Sequence, residues 1–405
     1  MDELKGIDYL KTKLRNKKAR VNIRYLYYEM KTRARDFGIS SPPDLQGWMS
    51  VLGWCSRAVD CLADRLVFRE FRDDIFNLNQ IYAANNKDVL IDSMILGALI
   101  SSCDFIYITA DADGFSRLRV IDGGHATGEI DPMTNMLKEG YAVLEFDDRD
   151  RPLVEAYFVP GETRIFGKNV EEPYSVYNSA PYPLLVPVIY RPDAKRPFGH
   201  SRISRACMSI VDSAARTVKR SEIAAEFYSY PQKYILGMDP EAERMEKWRA
   251  SMSSLIQIDK DEDGDKPVAG QFQQAAMTPH TEQLRMFAGM FAGETGLTLD
   301  DLGFPSQNPS SSEAIRAAHE TLRLMARKAQ RDFGVGLLNA GYLAACVRDN
   351  RPYLRKELYK TKAVWAPIFE PDVTALGGIG DAVQKIQTSF PDYFDEDKLE
   401  ELTGI

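Results

Sequence analysis

The chain has 405 residues, is 44% hydrophobic and 27% charged, and carries a formal net charge of −8. That length allows two or three domains, the composition is close to that of globular proteins that bury real cores, and the acidic balance argues against a tight, non-specific DNA binder. No apolar run reaches the roughly 18 residues that span a bilayer, and the opening MDELKGIDYLKTKLRNKK has no apolar signal region, so neither a membrane partner nor secretion is expected.

In chain order, residues 1–100 read as helices: one from Asp8 to Phe37, a break at Pro42-Pro43, and another over Val89–Ser101 with Asp88 as its cap. From Cys103 to about Tyr190 the period changes. FIYITAD, SRLRVID, YAVLEFD, VEAYFVPG, TRIFGK and PLLVPVIY read as short strands, with turns at Asp113-Gly114, Gly123-Gly124 and Asp147 to Asp150. Beyond the loop RPDAKRPFGH, Ile203, Cys207, Ile210, Val211, Ala214, Val218 and Ala225 recur at helical spacing, predicting one amphipathic helix over Ser201–Tyr228.

Pro231 stops that helix, QKYILG and SSLIQID read as strands, and the run DKDEDGDK turns the chain back. Thr278-Pro279 opens a helix to about Glu294, with Gly296 as its stop. The loop GLTLDDLGFPSQNPSSSEA follows, and then a helix is predicted from Ser312 to about Val347. On that helix Ile315, Ala318, Leu322, Met325, Ala329 and Phe333 fill one arc, while Arg316, Arg323, Arg327 and Arg331 line the opposite side. KAVWAPIFEP reads as a strand, and an acidic helical segment runs from Asp372 to the end. The fold class is α+β, mainly helical.

Cys55, Cys61, Cys103, Cys207 and Cys346 form no CxxC pair, which points to synthesis in a reducing cytoplasm. The four histidines stand at no ligand spacing, and neither zinc nor another cofactor is expected. Phosphate-loop, dinucleotide, metalloprotease and esterase signatures are absent from the sequence. Residues 1–40 hold eleven Lys/Arg against five Asp/Glu, and residues 371–405 hold two against eight, so the two ends can serve different partners or simply be solvated.

Three features could carry chemistry. His125, in Asp122-Gly123-Gly124-His125, could act as a general base in a hydrolytic site, or the segment could be a hairpin turn with Gly-Gly supplying positive φ. Asp259, Asp261 and Asp263 match the first half of a calcium loop, but the twelfth position is Gly270 rather than glutamate, which favours an acidic hairpin tip. The stripe of Arg316, Arg323, Arg327 and Arg331 could face a polyanion, or it could pair within the protein.

The succession from Arg191 onward resembles the portal (head–tail connector) proteins of long-tailed double-stranded-DNA bacteriophages. RPFGHSRISRA, a long helix, a short hairpin module, a second helix, LGFPSQNPSSSEAIRAAHETLRLMARKAQRDFG and WAPIFEPDV follow one another over roughly residues 190–390. The resemblance implies a ring-forming portal fold. Residues 1–199, completed by a strand near 362–370, would be the wing; 200–230 and 277–296 the stem; and 231–276 the clip. Residues 297–311 would be the tunnel loop, 312–348 the long helix behind it, and 371–405 a short crown.

It also implies a dodecamer at a capsid vertex of the virion, non-specific double-stranded DNA in the channel, and docking of terminase large subunit and head-completion proteins. Capsid and scaffolding proteins are further implied partners. The ATPase would belong to the terminase, so the chain itself is not an enzyme. Phe304, Pro305, Gln307 and Asn308 would line the tunnel, Arg316, Arg323, Arg327 and Arg331 would face DNA or neighbouring helices, and Asp261, Asp263 and Asp265 would lie on the docking surface. A hydrolytic enzyme using His125 and nearby carboxylates, and a helical oligomeric scaffold unrelated to phage, are the other readings.

Overall fold

The computed structural model describes residues 4–34, 49–229, 233–236, 268–271, 276–305, 312–369, 373–391, 393–394 and 399. The chain is α+β and divides into two compact units. The first comprises Met1–Thr32, Gly53–Met208 and Gly293–Ile405; the second comprises Arg33–Leu52 and Ser209–Ala292.

The first unit opens with α1 (Ile7–Tyr28), which buries Leu10, Leu14 and Val21. The expected continuation to Phe37 does not occur, because Met30 adopts φ 58°, outside the helical region. After α2 (Trp54–Ala63), β1 (Phe68–Arg72) and α3 (Leu78–Ala83) comes α4 (Lys87–Ser101). Its cap is Asn86 at φ 52°, and Asp88 lies inside the first turn, where its charge suits the helix dipole.

Eight strands follow: β2 (Cys103–Ala110), β3 (Ser116–Ile121), β4 (Ala126–Ile130), β5 (Leu137–Phe146), β6 (Pro152–Val159), β7 (Glu162–Gly167), β8 (Tyr174–Tyr177) and β9 (Leu185–Ile189). They form two antiparallel sheets, ordered β3-β2-β9 and β4-β5-β6-β7-β8. Asp113-Gly114 and Asp147 to Asp150 are hairpin turns as expected. Gly123-Gly124 is not a hairpin turn: it carries the chain from the first sheet to the second, and neither glycine takes positive φ. Glycine is needed at 123 for close approach, since a Cβ there would stand 2.3 Å from the Cys103 carbonyl.

The helix α5 (Arg205–Ser229) starts four residues later than the spacing predicts, although Ile203, Cys207, Val211 and Ala214 are buried as expected. In the second unit, β10 (Lys233–Leu236) pairs with β11 (Val268–Gln271), a strand the sequence reading missed; SSLIQID lies outside the described residues. The helix α6 (Thr278–Thr295) begins at the expected Thr-Pro, and the Thr217 hydroxyl of α5 meets the Gln283 side chain of α6 at 3.1 Å.

The predicted single helix over Ser312–Val347 is two helices, α7 (Ser312–Ala318) and α8 (Glu320–Arg348), divided at His319 (φ −95°, ψ 11°). The strand β12 (Lys362–Trp365) pairs with β1, and α9 (Val373–Ser389) follows. The first unit's core is assembled around α8, whose Leu322, Ala326, Ala329, Phe333 and Leu337 are buried. Gly336 lets α8 approach Val188 of β9, where an added Cβ would be 3.1 Å away. Phe68, Phe71, Tyr82 and Trp365 pack as an aromatic group, and the Tyr82 hydroxyl donates to the Leu337 carbonyl at 2.7 Å. Helix α1 also covers a sheet, with Leu10 and Leu14 against Tyr141, Val143 and Tyr157. Its Lys11 and Lys13 reach Glu155 and Glu129, each at 2.7 Å.

Candidate functional site

The segment between α6 and α7 is built on a fixed root. Thr295 ends α6, and Gly296 turns the chain at φ 70°. Arg202, only 6% exposed, donates from Nη2 to the Thr295 carbonyl at 2.6 Å and from Nε to the Ala58 carbonyl at 3.0 Å. A buried guanidinium must be hydrogen-bonded on most of its donors, and here helix carbonyls supply the acceptors. The root is therefore tied to α2 as well as to α6.

Beyond it, Thr298 and Asp301 close a small turn. The Asp301 carboxylate accepts from the Thr298 amide and hydroxyl, both at 2.9 Å. A 3₁₀ turn, Asp300–Leu302, ends at Gly303 with φ 87°. Phe304 is half-buried and Pro305 exposed, while Gln307 and Asn308 lie outside the described residues.

His319, at the α7–α8 break, joins this turn to α7. Its Nδ1 lies 3.0 Å from the Ile315 carbonyl of α7, and its Nε2 lies 3.3 Å from Asp301 Oδ2. Burial pushes the Asp301 carboxyl upward, but the Thr298 hydrogen bonds and the His319 ring outweigh it and hold it below the ordinary carboxylate range. The arginine stripe is unequal. Arg323 is held bidentately by Glu320 at 2.7 and 2.6 Å, Arg327 and Arg331 are exposed on the same row of α8, and Arg316 is exposed on α7. Asp259, Asp261, Asp263 and Asp265 lie outside the described residues, and no metal-holding cluster occurs among the described ones.

His125 is placed differently from a general base. Nδ1 faces the Asp122 carboxylate, Nε2 lies 2.6 Å from Asp150 Oδ1, and the ring stacks on Phe146 at 4.4 Å. Burial opposes its charge, yet the bonds to Asp122 and Asp150 prevail and raise its pKa above the ordinary value. With both nitrogens against carboxylates, it has none left to take a proton from a substrate. It instead ties the end of β3 to the β5–β6 turn. Beside it is a cavity of about 450 Å³ lined by Tyr25, Gly97, Asp104, Asp122 and Phe146.

No family model matches the chain. It is 27% identical over 316 residues to the portal protein of Mycobacterium phage L5, covering 73% of this chain and 65% of that protein. It is 25% identical over 381 residues to the portal protein of Mycobacterium phage D29, covering 89% of this chain and 77% of that one. The chain is a sequence relative of phage portal proteins. It spans just under two thirds of the length of the L5 portal protein. Among solved structures, it is similar to chains in the neck of a native gene transfer agent particle computed with C12 symmetry (14% identity, TM-score 0.47, 94% and 98% coverage). A chain of the native virion of that particle gives 14% identity and a TM-score of 0.45, with 95% and 99% coverage.

In the structure Phe304 and Pro305 follow the 3₁₀ turn, Arg316 is on α7, and Arg323, Arg327 and Arg331 are on α8. The structure adds three residues that sequence reading passed over. His319 and Asp301 carry no spacing signal, being 18 positions apart across a loop. Arg202 stands in SRISRA, where nothing marks it as buried.

Proposed function

We propose that this chain is a portal subunit, one copy of a ring at the capsid vertex through which double-stranded DNA is packaged and ejected. The observation that carries the reading is its similarity to the D29 portal protein over 89% of this chain. In this reading the first unit's sheets with α1 form the wing, α5 and α6 the stem, and residues 231–276 the clip. Residues 297–311 are the tunnel loop and 371–405 the crown. The chain itself performs no catalysis, and a terminase subunit docked on the clip supplies the motor. Twelve copies, virion residence and contacts with head-completion, capsid and scaffolding proteins belong to the same proposal.

The chemistry suits a conduit. DNA must slide, so the positive charge that meets it has to be patchy and weak, because each neutralised phosphate adds affinity through counterion release. Arg316, Arg327 and Arg331 are exposed on a chain whose net charge is −8, and Arg323 is neutralised by Glu320. In this reading they contact phosphates, which position the duplex without reading its sequence.

Electron microscopy of the purified protein tests the proposal: rings with a central channel are expected, and a 45.7 kDa monomer under all assembly conditions overturns it. Inserting a few Gly/Ser residues after Gln307 should leave rings intact and abolish packaging, because each extra segment is repeated around a passage about as wide as the duplex. An ordinary surface linker would tolerate the insertion.

A further inference from the structure

The cavity beside His125 is walled by α1, α4, β3 and β5 of the first unit. Its volume of about 450 Å³ falls in the range of small-molecule sites, roughly 300–1,000 Å³. On its wall stands a buried carboxyl with one oxygen to spare. Asp104 is 1% exposed, and Oδ1 takes both of its hydrogen bonds, from Ser101 Oγ at 2.9 Å and from the Gly123 amide at 3.0 Å. Oδ2 accepts none among the described residues. It is the atom that reaches Gly97, a second wall residue, where a Cβ would stand 1.8 Å from it. Glycine weakens the interior of a helix, and in α4 it keeps this oxygen clear. Buried polar atoms are normally paired, so a spare carboxyl oxygen on a cavity wall marks the place of a donor.

The surrounding charges select the kind of donor. Burial raises the Asp104 carboxyl most; among the charges, Asp122 raises it more than Lys17 of α1 lowers it. Burial also pushes the Lys17 ammonium toward its neutral form. Burial, and then the charges of Asp104 and Asp122, push up the Tyr25 phenol as well. The other charges on the wall are engaged elsewhere. His125 lies between Asp122 and Asp150, Arg119 of β3 donates to the Leu144 carbonyl at 2.8 Å, and Glu29, just past α1, pairs with Lys31 at 2.7 Å. The balance at Oδ2 favours a cation over a neutral donor.

We propose that this cavity binds the ammonium end of a primary alkylamine, which donates to Asp104 Oδ2 while its alkyl chain lies along Leu96, Ile100 and Val143. Tyr25, Tyr28 and Phe146 line the same space, and aromatic faces attract cations. The site shares no residue with the tunnel-loop segment, and the proposal goes beyond the portal reading without depending on it.

Titration calorimetry of the intact protein at pH 8 tests the site, with 1-aminobutane and with 1-butanol, a neutral molecule of the same length. The amine should saturate one site per subunit and bind about tenfold or more tighter than the alcohol, the ratio that one charge-assisted hydrogen bond supplies. Asp104→Asn should weaken amine binding by about the same factor. Glu29→Gln removes the same formal charge at a side chain already paired with Lys31, and should leave amine binding within about twofold. No saturable amine binding, equal binding of amine and alcohol, or unchanged affinity in Asp104→Asn overturns the proposal. So does an equal loss in both variants, which would mark general attraction to a chain of net charge −8. If Asp104→Asn fails to fold, the wild-type preference for amine over alcohol still decides.

Discussion

Replacing Asp104 by Asn should make the first unit more stable at neutral and alkaline pH, although it removes a hydrogen-bonded side chain. Asp104 is 1% exposed. Its Oδ1 accepts from Ser101 Oγ at 2.9 Å and from the Gly123 amide at 3.0 Å. Oδ2 lies so close to Gly97 that a Cβ there would be 1.8 Å away. Burial, followed by the nearby charge of Asp122, pushes the pKa from 3.8 up to about 8 against the pull of Ser101, Gly123 and Lys17. Since the folded value lies above the unfolded one, the folded chain keeps a proton that the unfolded chain has released at every pH between them.

The stability linked to Asp104 is thus fully present below about pH 3.8 and declines as pH rises, being gone once pH passes about 8. The slope is about 1.4 kcal/mol per pH unit, and roughly four pH units give a ceiling of about 5–6 kcal/mol. Asn keeps the shape and the Oδ1 acceptor and has nothing to ionise. Urea denaturation between pH 5 and 9 should show a wild-type midpoint that falls with pH and an Asp104→Asn midpoint that falls much less. The two curves should separate by several kcal/mol near pH 8. Lys17 and His125 are retained in both proteins, so the difference isolates Asp104. Parallel curves, or a variant less stable than wild type at pH 8, would refute the reasoning.

His125→Ala should cost about 1–2 kcal/mol, reduced from the usual charged-bond value because Asp122 and Asp150 are partly exposed. Because the raised His125 pKa places its contribution below the unfolded value and removes it as pH rises through the folded one, the loss should be larger at pH 5.5 than at pH 9 in thermal melts. Gly199→Ala should destabilise by more than about 2 kcal/mol, since Gly199 has φ 72° and a Cβ there would stand 2.1 Å from the Tyr190 carbonyl; an unchanged melting temperature would contradict it. Arg202→Gln should lower stability by about 2–4 kcal/mol and raise protease cleavage near Gly296, because the Thr295 and Ala58 carbonyls lose their charged donor.

Apolar faces were readable because they repeat. Leu322, Ala329 and Phe333 recur at helical spacing and are buried, while the alternation in SRLRVID and the apolar run in YAVLEFD mark β3 and β5. Strands without that repeat were missed: ATGEI (β4) carries a glycine in mid-strand, and all four residues of YSVY (β8) are exposed. The break at His319 left no trace for a related reason. Helical spacing continues straight through it in SEAIRAAHETLRL, and Ile315 and Ala318 are exposed although they fall on the same arc as buried Leu322. A helical wheel assumes one unbroken helix, so it cannot register a rotation of one segment against the next. The polar contacts near this break are single events between residues that are not neighbours in the chain. Asp301 with His319, and Arg202 with Thr295, obey donor and acceptor chemistry rather than any period. A repeat therefore registers the apolar arc of α8, while a contact such as Arg202 with the Thr295 carbonyl becomes visible only when the acceptors around the guanidinium are counted.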